Sequence, residues 1–107
     1  MDQETLRQVH NILHSIVRQG MGRVGFMLNQ NGRLIAHVGS SPSFHPQARF
    51  SEMTEGEEGE NVYMSGIEDR YIVGVVFGEL VTMETVRDAV EAARPQLTQV
   101  LSPYLPR

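Results

Sequence analysis

Residues 60–97 read ENVYMSGIEDRYIVGVVFGELVTMETVRDAVEAARPQL, and this stretch decides the fold. Asn61–Ile67 (NVYMSGI) and Arg70–Phe77 (RYIVGVVF) are two β-rich runs with only Glu68-Asp69 between them, which predicts a tight hairpin. The second run is apolar at nearly every position, as in a central strand covered on both faces. Thr82 then offers its hydroxyl as an N-cap, and Glu84 falls in the first turn, where the helix dipole favours an acid. Met83, Val86, Val90, Ala93, Leu97 and Leu101 continue as an apolar stripe at helical spacing. Pro95 lies inside this stripe and predicts a kink or an early end, because it cannot donate to the carbonyl four residues back. Pro103 and Pro106 stop what remains.

Towards the N-terminus a second hairpin is predicted. Arg23–Asn29 (RVGFMLN) places Val24, Phe26 and Leu28 on one side, and Arg33–Val38 (RLIAHV) follows. The intervening Asn31-Gly32 is the preferred pair for a type I′ turn, where both central residues need positive φ. Before it, residues 3–19 carry Leu6, Val9, Leu13, Ile16 and Val17 within one narrow helical arc, widened by Ile12. Gly20 and Gly22 follow, as a helix end prefers. Gly39–Ala48 (GSSPSFHPQA) has two prolines and no period, so it reads as a loop. Arg49–Met53 (RFSEM) alternates as a short strand would, and residues 54–60 (TEGEEGE) read as a polar turn.

The element order is helix, hairpin, loop, short strand, hairpin, helix. Strands grouped between two helices, without βαβ alternation, predict an α+β fold with an antiparallel sheet. Two helices cover one sheet face. The other, with Met27, Ile35, Val73 and Val75, is then expected to stay partly bare and to need a partner.

Composition narrows the function. At 107 residues the chain is one domain. It has no cysteine, which excludes disulfides, a thiol nucleophile and thiolate metal sites. It has no lysine either, which excludes a P-loop or Schiff-base mechanism. A net charge of −4 argues against nucleic acid or anionic lipid as the main partner. No apolar run approaches membrane-spanning length, and MDQETLRQVH has neither the basic start nor the apolar stretch of a signal peptide. The expectation is a cytoplasmic chain without membrane insertion.

Chemistry-bearing constellations are sparse. His10 and His14 stand four apart on the first helix, a metal-holding spacing, but lack the HExxH glutamate and read as flank histidines. Glu52, Glu55, Glu57, Glu58 and Glu60 do not alternate as a calcium loop requires and read as a solvated turn. Ser40, Ser41 and Ser43 lie in no nucleophile elbow. Glu84, Arg87, Glu91 and Arg94 read as a ladder of surface pairs rather than as a catalytic arginine. No catalytic, cofactor-binding or metal set emerges, and a small interaction domain is the expectation.

Residues 60–97 resemble the C-terminal half of the roadblock / dynein light chain family, in particular its bacterial MglB-type regulators of Ras-like GTPases. The resemblance rests on the acidic turn Glu57–Glu60, the strand Asn61–Ile67, Asp69-Arg70, Val75–Phe77, Thr82 and the pair Val86-Arg87. The front half, with its leading helix and Val24–Val38 hairpin, also fits. The resemblance implies a roadblock-like five-stranded antiparallel sheet of order 2-1-5-4-3, flanked by an N-terminal and a C-terminal helix. It further implies a homodimer joined edge to edge and a non-enzymatic scaffold for a Ras-like GTPase. The family's long helix between its second and third strands is expected to be lost or shortened. Gly39–Ala48 gives ten residues with Pro42 and Pro46 among them, too few at about 1.5 Å rise each. The edge strand Arg49–Met53 is the expected dimer contact, with Arg49, Phe50 and Met53 in it and Phe44 covering the open face. The alternative is a small-ligand sensor of the PAS/GAF kind, with that face lining an apolar pocket.

Overall fold

A computed structural model of the chain describes residues 1–41, 44 and 59–106. Helix α1 spans Gln3–Gly20. Asp2 caps it, its Oδ1 accepting from the Thr5 amide at 2.8 Å. The glycine-terminated end expected from Gly20 and Gly22 takes a different form. Met21 adopts the left-handed conformation at φ 57°, and the Gly22 amide returns to the Val17 carbonyl at 2.9 Å.

Strands β1 (Val24–Asn29), β2 (Leu34–Gly39), β3 (Glu60–Ile67) and β4 (Tyr71–Gly78) follow, then α2 (Met83–Leu101) and a 3-10 turn at Ser102–Tyr104. Among the described residues the sheet has four strands in the order β2-β1-β4-β3, every neighbouring pair antiparallel. This differs from the five strands and 2-1-5-4-3 order expected. The expected strand at Arg49–Met53, and most of the interval where a shortened helix was expected, lie outside the described residues.

The two turns exchange their expected chemistry. Glu68 and Asp69 both take positive φ, at 51° and 58°, and the Arg70 amide donates to the Ile67 carbonyl. That is the geometry of a type I′ turn, built without glycine. At Asn31-Gly32 only Gly32 is left-handed, at φ 81°. There the Gly32 amide closes a turn on the Asn29 carbonyl, and the Asn29 side chain accepts from the Asn31 and Arg33 amides at 2.9 and 3.0 Å. Asn29 thus takes over the turn-setting role that the Asn-Gly pair was expected to fill. β2 also bulges: Met27 pairs with Ala36 but Leu28 with Leu34, leaving Ile35 extra.

Both helices pack on one face of the sheet. Met27, Val73 and Val75 lie beneath them, fully or almost fully buried with Leu13, Ile16, Val90 and Leu97. The expectation that these strand residues mark an open face is therefore reversed. Strands this apolar carry no alternation to say which side the helices take. The small residue Gly25 does, since a Cβ there would meet Val17 and the Leu13 carbonyl of α1. The opposite face carries Val24, Phe26, Leu28 and Val76, and these too are buried. Phe26 lies across Gly74 of β4, its pairing partner, where an added Cβ would clash with the ring edge at Cζ.

α2 opens as expected, with Thr82 Oγ1 accepting from the Thr85 amide. It then runs past Pro95 to Leu101 without ending early. Pro95 sits on the exposed side, so water can serve the carbonyl that lacks its usual donor. The helices are antiparallel: Gly20 closes on Ala89 at one end, and Tyr104 Oη accepts from the Asp2 amide at the other.

Candidate partner-binding surface

One pole of the molecule gathers the α1–β1 turn, the β4–α2 connection and the start of β3. β4 is buried to Gly78, and the chain turns at once, with the Val81 amide donating to the Gly78 carbonyl at 3.1 Å. That turn pushes Leu80 outward until it is 97% exposed. Met21, held outward by its left-handed backbone, is 67% exposed, and Met83 is 46% exposed. Met21 and Leu80 flank a shallow cavity of about 330 Å³ that Arg23, Glu79 and Val81 also line. Below it the Glu60 carboxylate accepts from Arg23 Nη1 at 2.5 Å and from Ser41 Oγ at 2.6 and 2.7 Å. The Glu60 side chain is only 3% exposed, so an ion pair to a half-exposed arginine fixes this end of the sheet. Exposed apolar side chains around a held guanidinium can grip a protein surface. They supply no nucleophile or general base.

Sequence reasoning missed this surface. It counted Met83 in the buried stripe and passed over Leu80 and Met21 as connection residues. The available signal was chemical: Leu and Met placed in turns, where they satisfy no core periodicity.

Of the interface residues expected from sequence, Phe44 is described and Arg49, Phe50 and Met53 are not. Phe44 is 6% exposed and packs on the sheet face opposite α1 and α2, its ring centroid 5.5 Å from that of Phe26 and 5.3 Å from that of His37. Among the described residues, His37 Nδ1 is buried there without a hydrogen-bond partner. Leu34, Val62, Met64 and Ile72 extend this apolar layer towards the hairpin ends and are half-buried. Among the described residues no three His, Asp or Glu side chains converge as a metal site. Within the acidic run Glu60 is described, whereas Glu52, Glu55, Glu57 and Glu58 lie outside the described residues.

The arginine ladder is partly realised. Arg94 pairs with Glu91 at 3.0 Å, while Arg87 comes only within 3.7 Å of Asp88. Arg94 also donates to the Gly66 carbonyl at 2.7 Å and to Ser65 Oγ, tying α2 to β3. Its hydrogen bonds hold the Glu91 carboxyl below the usual range. This arginine is structural.

A second open feature runs between the two helices. At its wider end a groove of about 660 Å³ is lined by Gln8, Asn11, Ile12 and Ser15 of α1 and by Gln96, Gln99 and Val100 of α2. Neither cavity described here is lined by the apolar far face that a small-ligand sensor would use.

Three solved structures share this architecture along nearly their whole length. Myxococcus xanthus MglB superposes with a TM-score of 0.78 at 15% identity, covering 100% of this chain and 97% of that one. The gliding protein MglB from Thermus thermophilus gives 0.76 at 12% identity, covering 96% and 95%. An MglB in a tetrameric arrangement gives 0.74 at 15% identity, covering 98% and 95%. No protein-family model matches the sequence, and no curated protein matches it by sequence search. The architecture is therefore roadblock-like, a likeness of fold.

Proposed function

We propose, from that whole-length fold likeness, that the chain is a non-enzymatic regulatory subunit that dimerises and binds a Ras-like GTPase. The end-to-end match to MglB structures carries the reading. The resemblance of residues 60–97 to the roadblock family supplies the partner class. The pole formed by Met21, Leu80 and Met83 is the contact favoured for that partner, because it is the most exposed apolar surface the described residues offer. The dimer is assigned to the edge Arg49–Met53. An exposed strand edge is a pairing template.

The test uses the purified chain as bait in lysate of its source cells, with GDP or with a non-hydrolysable GTP analogue, and reads the retained proteins by mass spectrometry. A Ras-like GTPase enriched with the analogue and lost from a Leu80→Asp bait supports the reading. No GTPase under either nucleotide overturns it.

A further inference from the structure

The pole of Met21 and Leu80 also holds a charged side chain under restraint. The Arg23 amide donates to the Val76 carbonyl at 2.7 Å, which ties its backbone to the end of the sheet. Its guanidinium gives Nη1 to the Glu60 carboxylate, which is 3% exposed and also accepts from Ser41 Oγ. The same guanidinium lies over Gly78, where a Cβ would come within 2.8 Å of Nη2 and 3.2 Å of Cζ. Gly78 therefore leaves the space that the guanidinium occupies. Yet the Arg23 side chain is 49% exposed and lines the cavity flanked by Met21 and Leu80. A guanidinium carries five N–H donors in one fixed plane. Among the described residues, Glu60 is the only side-chain partner Arg23 has, so most of those donors are held in place and unused.

We infer that Arg23 orients the partner at this pole, its free donors taking a main-chain carbonyl oxygen from an exposed loop of that partner. The inference deepens the proposed GTPase contact and rests on that reading. Charge selects the occupant. Glu60 already matches the guanidinium, and Glu79 adds a second acid to the cavity lining. A partner carboxylate would meet two acids for one guanidinium. A partner cation would pair with Glu79 but set a like charge against Arg23. An apolar side chain would bury the donors unpaired and forfeit their hydration. A neutral acceptor avoids all three conflicts, and the main-chain carbonyl is the acceptor that every residue of an exposed loop carries. Met21 and Leu80, 67% and 97% exposed, flank the cavity and can close around the bond to exclude water. The restraint favours affinity, because a guanidinium ordered before binding has little freedom left to lose.

The test titrates the Ras-like GTPase retained in the pull-down, loaded with the non-hydrolysable analogue, into native and variant chains by calorimetry. Gly78→Ala removes no functional group. It displaces only the far end of the Arg23 side chain, so the thermal melt should stay close to native while the affinity falls about tenfold. Arg23→Lys keeps a charge beside Glu60 but loses the planar donor set, and should weaken binding to a similar extent. Arg23→Gln with Glu60→Gln removes the ion pair whole. Its affinity deficit should be the same at about 0.1 M and about 0.5 M NaCl, because a carbonyl has no net charge to screen. Leu80→Asp reports separately on the pole. Loss of binding in Leu80→Asp with native affinity in Gly78→Ala and Arg23→Lys overturns this inference and leaves the proposed contact standing. Native affinity in Leu80→Asp removes the contact itself, and this inference with it. A deficit that shrinks as salt rises assigns a partner carboxylate and overturns the carbonyl. If the pull-down retains no GTPase, the proposed function and this inference fall together.

Discussion

Glu68 and Asp69 hold a conformation that side chains resist. Both have positive φ, which costs an ordinary L-residue such as Glu68 about 1 kcal/mol and an Asp, like Asn, less. Glu68→Asn with Asp69→Gly gives the turn its preferred residues. The double variant should gain about 1–2 kcal/mol in urea unfolding, which for a chain of this size raises the melting temperature by several degrees. Gly74 is the opposite case. Gly74→Ala must displace the Phe26 ring and should cost about 1–3 kcal/mol by the same measurement. Asp2 adds a pH dependence. Its cap bonds to Thr5 hold the carboxyl below its ordinary value. The folded state is therefore favoured above the unfolded carboxyl's pKa, and this contribution fades as pH falls through the lowered folded one. Asp2→Asn keeps a capping oxygen but cannot titrate, so its urea midpoint should fall less steeply below about pH 4 than that of the native chain. Single residues were the least legible scale in the sequence. Asn31-Gly32 and Glu68-Asp69 exchanged roles because a hairpin takes its turn from strand register and twist, and dipeptide preference is only one input.

At the scale of elements the sequence was more legible. Residues 3–19 and 61–67 emerge within a residue or so of α1 and β3, and the Thr82 cap stands where its spacing placed it. Those readings rest on periodicity and capping, which are local. The side of the sheet on which the helices lie is not local, and Met27, Val73 and Val75 accordingly came out on the face opposite to expectation. Pro95 shows the same limit. Its cost depends on whether water can reach the freed carbonyl, and Pro95 lies on the exposed side of the helix. The cost is reduced but not removed, so Pro95→Ala should stabilise α2 by about 1–3 kcal/mol in urea unfolding without changing the fold.

For the whole molecule, surface and core separate cleanly. Leu80 is 97% exposed, so Leu80→Asp should leave the melting temperature within about 1–2 °C of native while abolishing retention of a nucleotide-dependent partner. Phe50→Asp with Met53→Asp should shift the chain towards the monomer in light scattering at unchanged helicity; retention of the dimer would refute the edge assignment. The candidate surface at Met21, Leu80 and Met83 is almost illegible in the sequence. Exposure is a property of the finished fold: Met83 reads in sequence as one more residue of the apolar stripe, and Met21 and Leu80 read as connection residues. The antiparallel helices have a practical corollary. Because Tyr104 reaches the Asp2 amide, the two ends of the described chain meet at one pole, with Leu80 and Met21 a helix length away. An affinity tag or fluorophore on either terminus therefore anchors the protein by the same end and leaves the Leu80 pole facing solution. A short linker between the ends would close the chain into a ring, freeing new termini to be cut at the first hairpin without disturbing either helix.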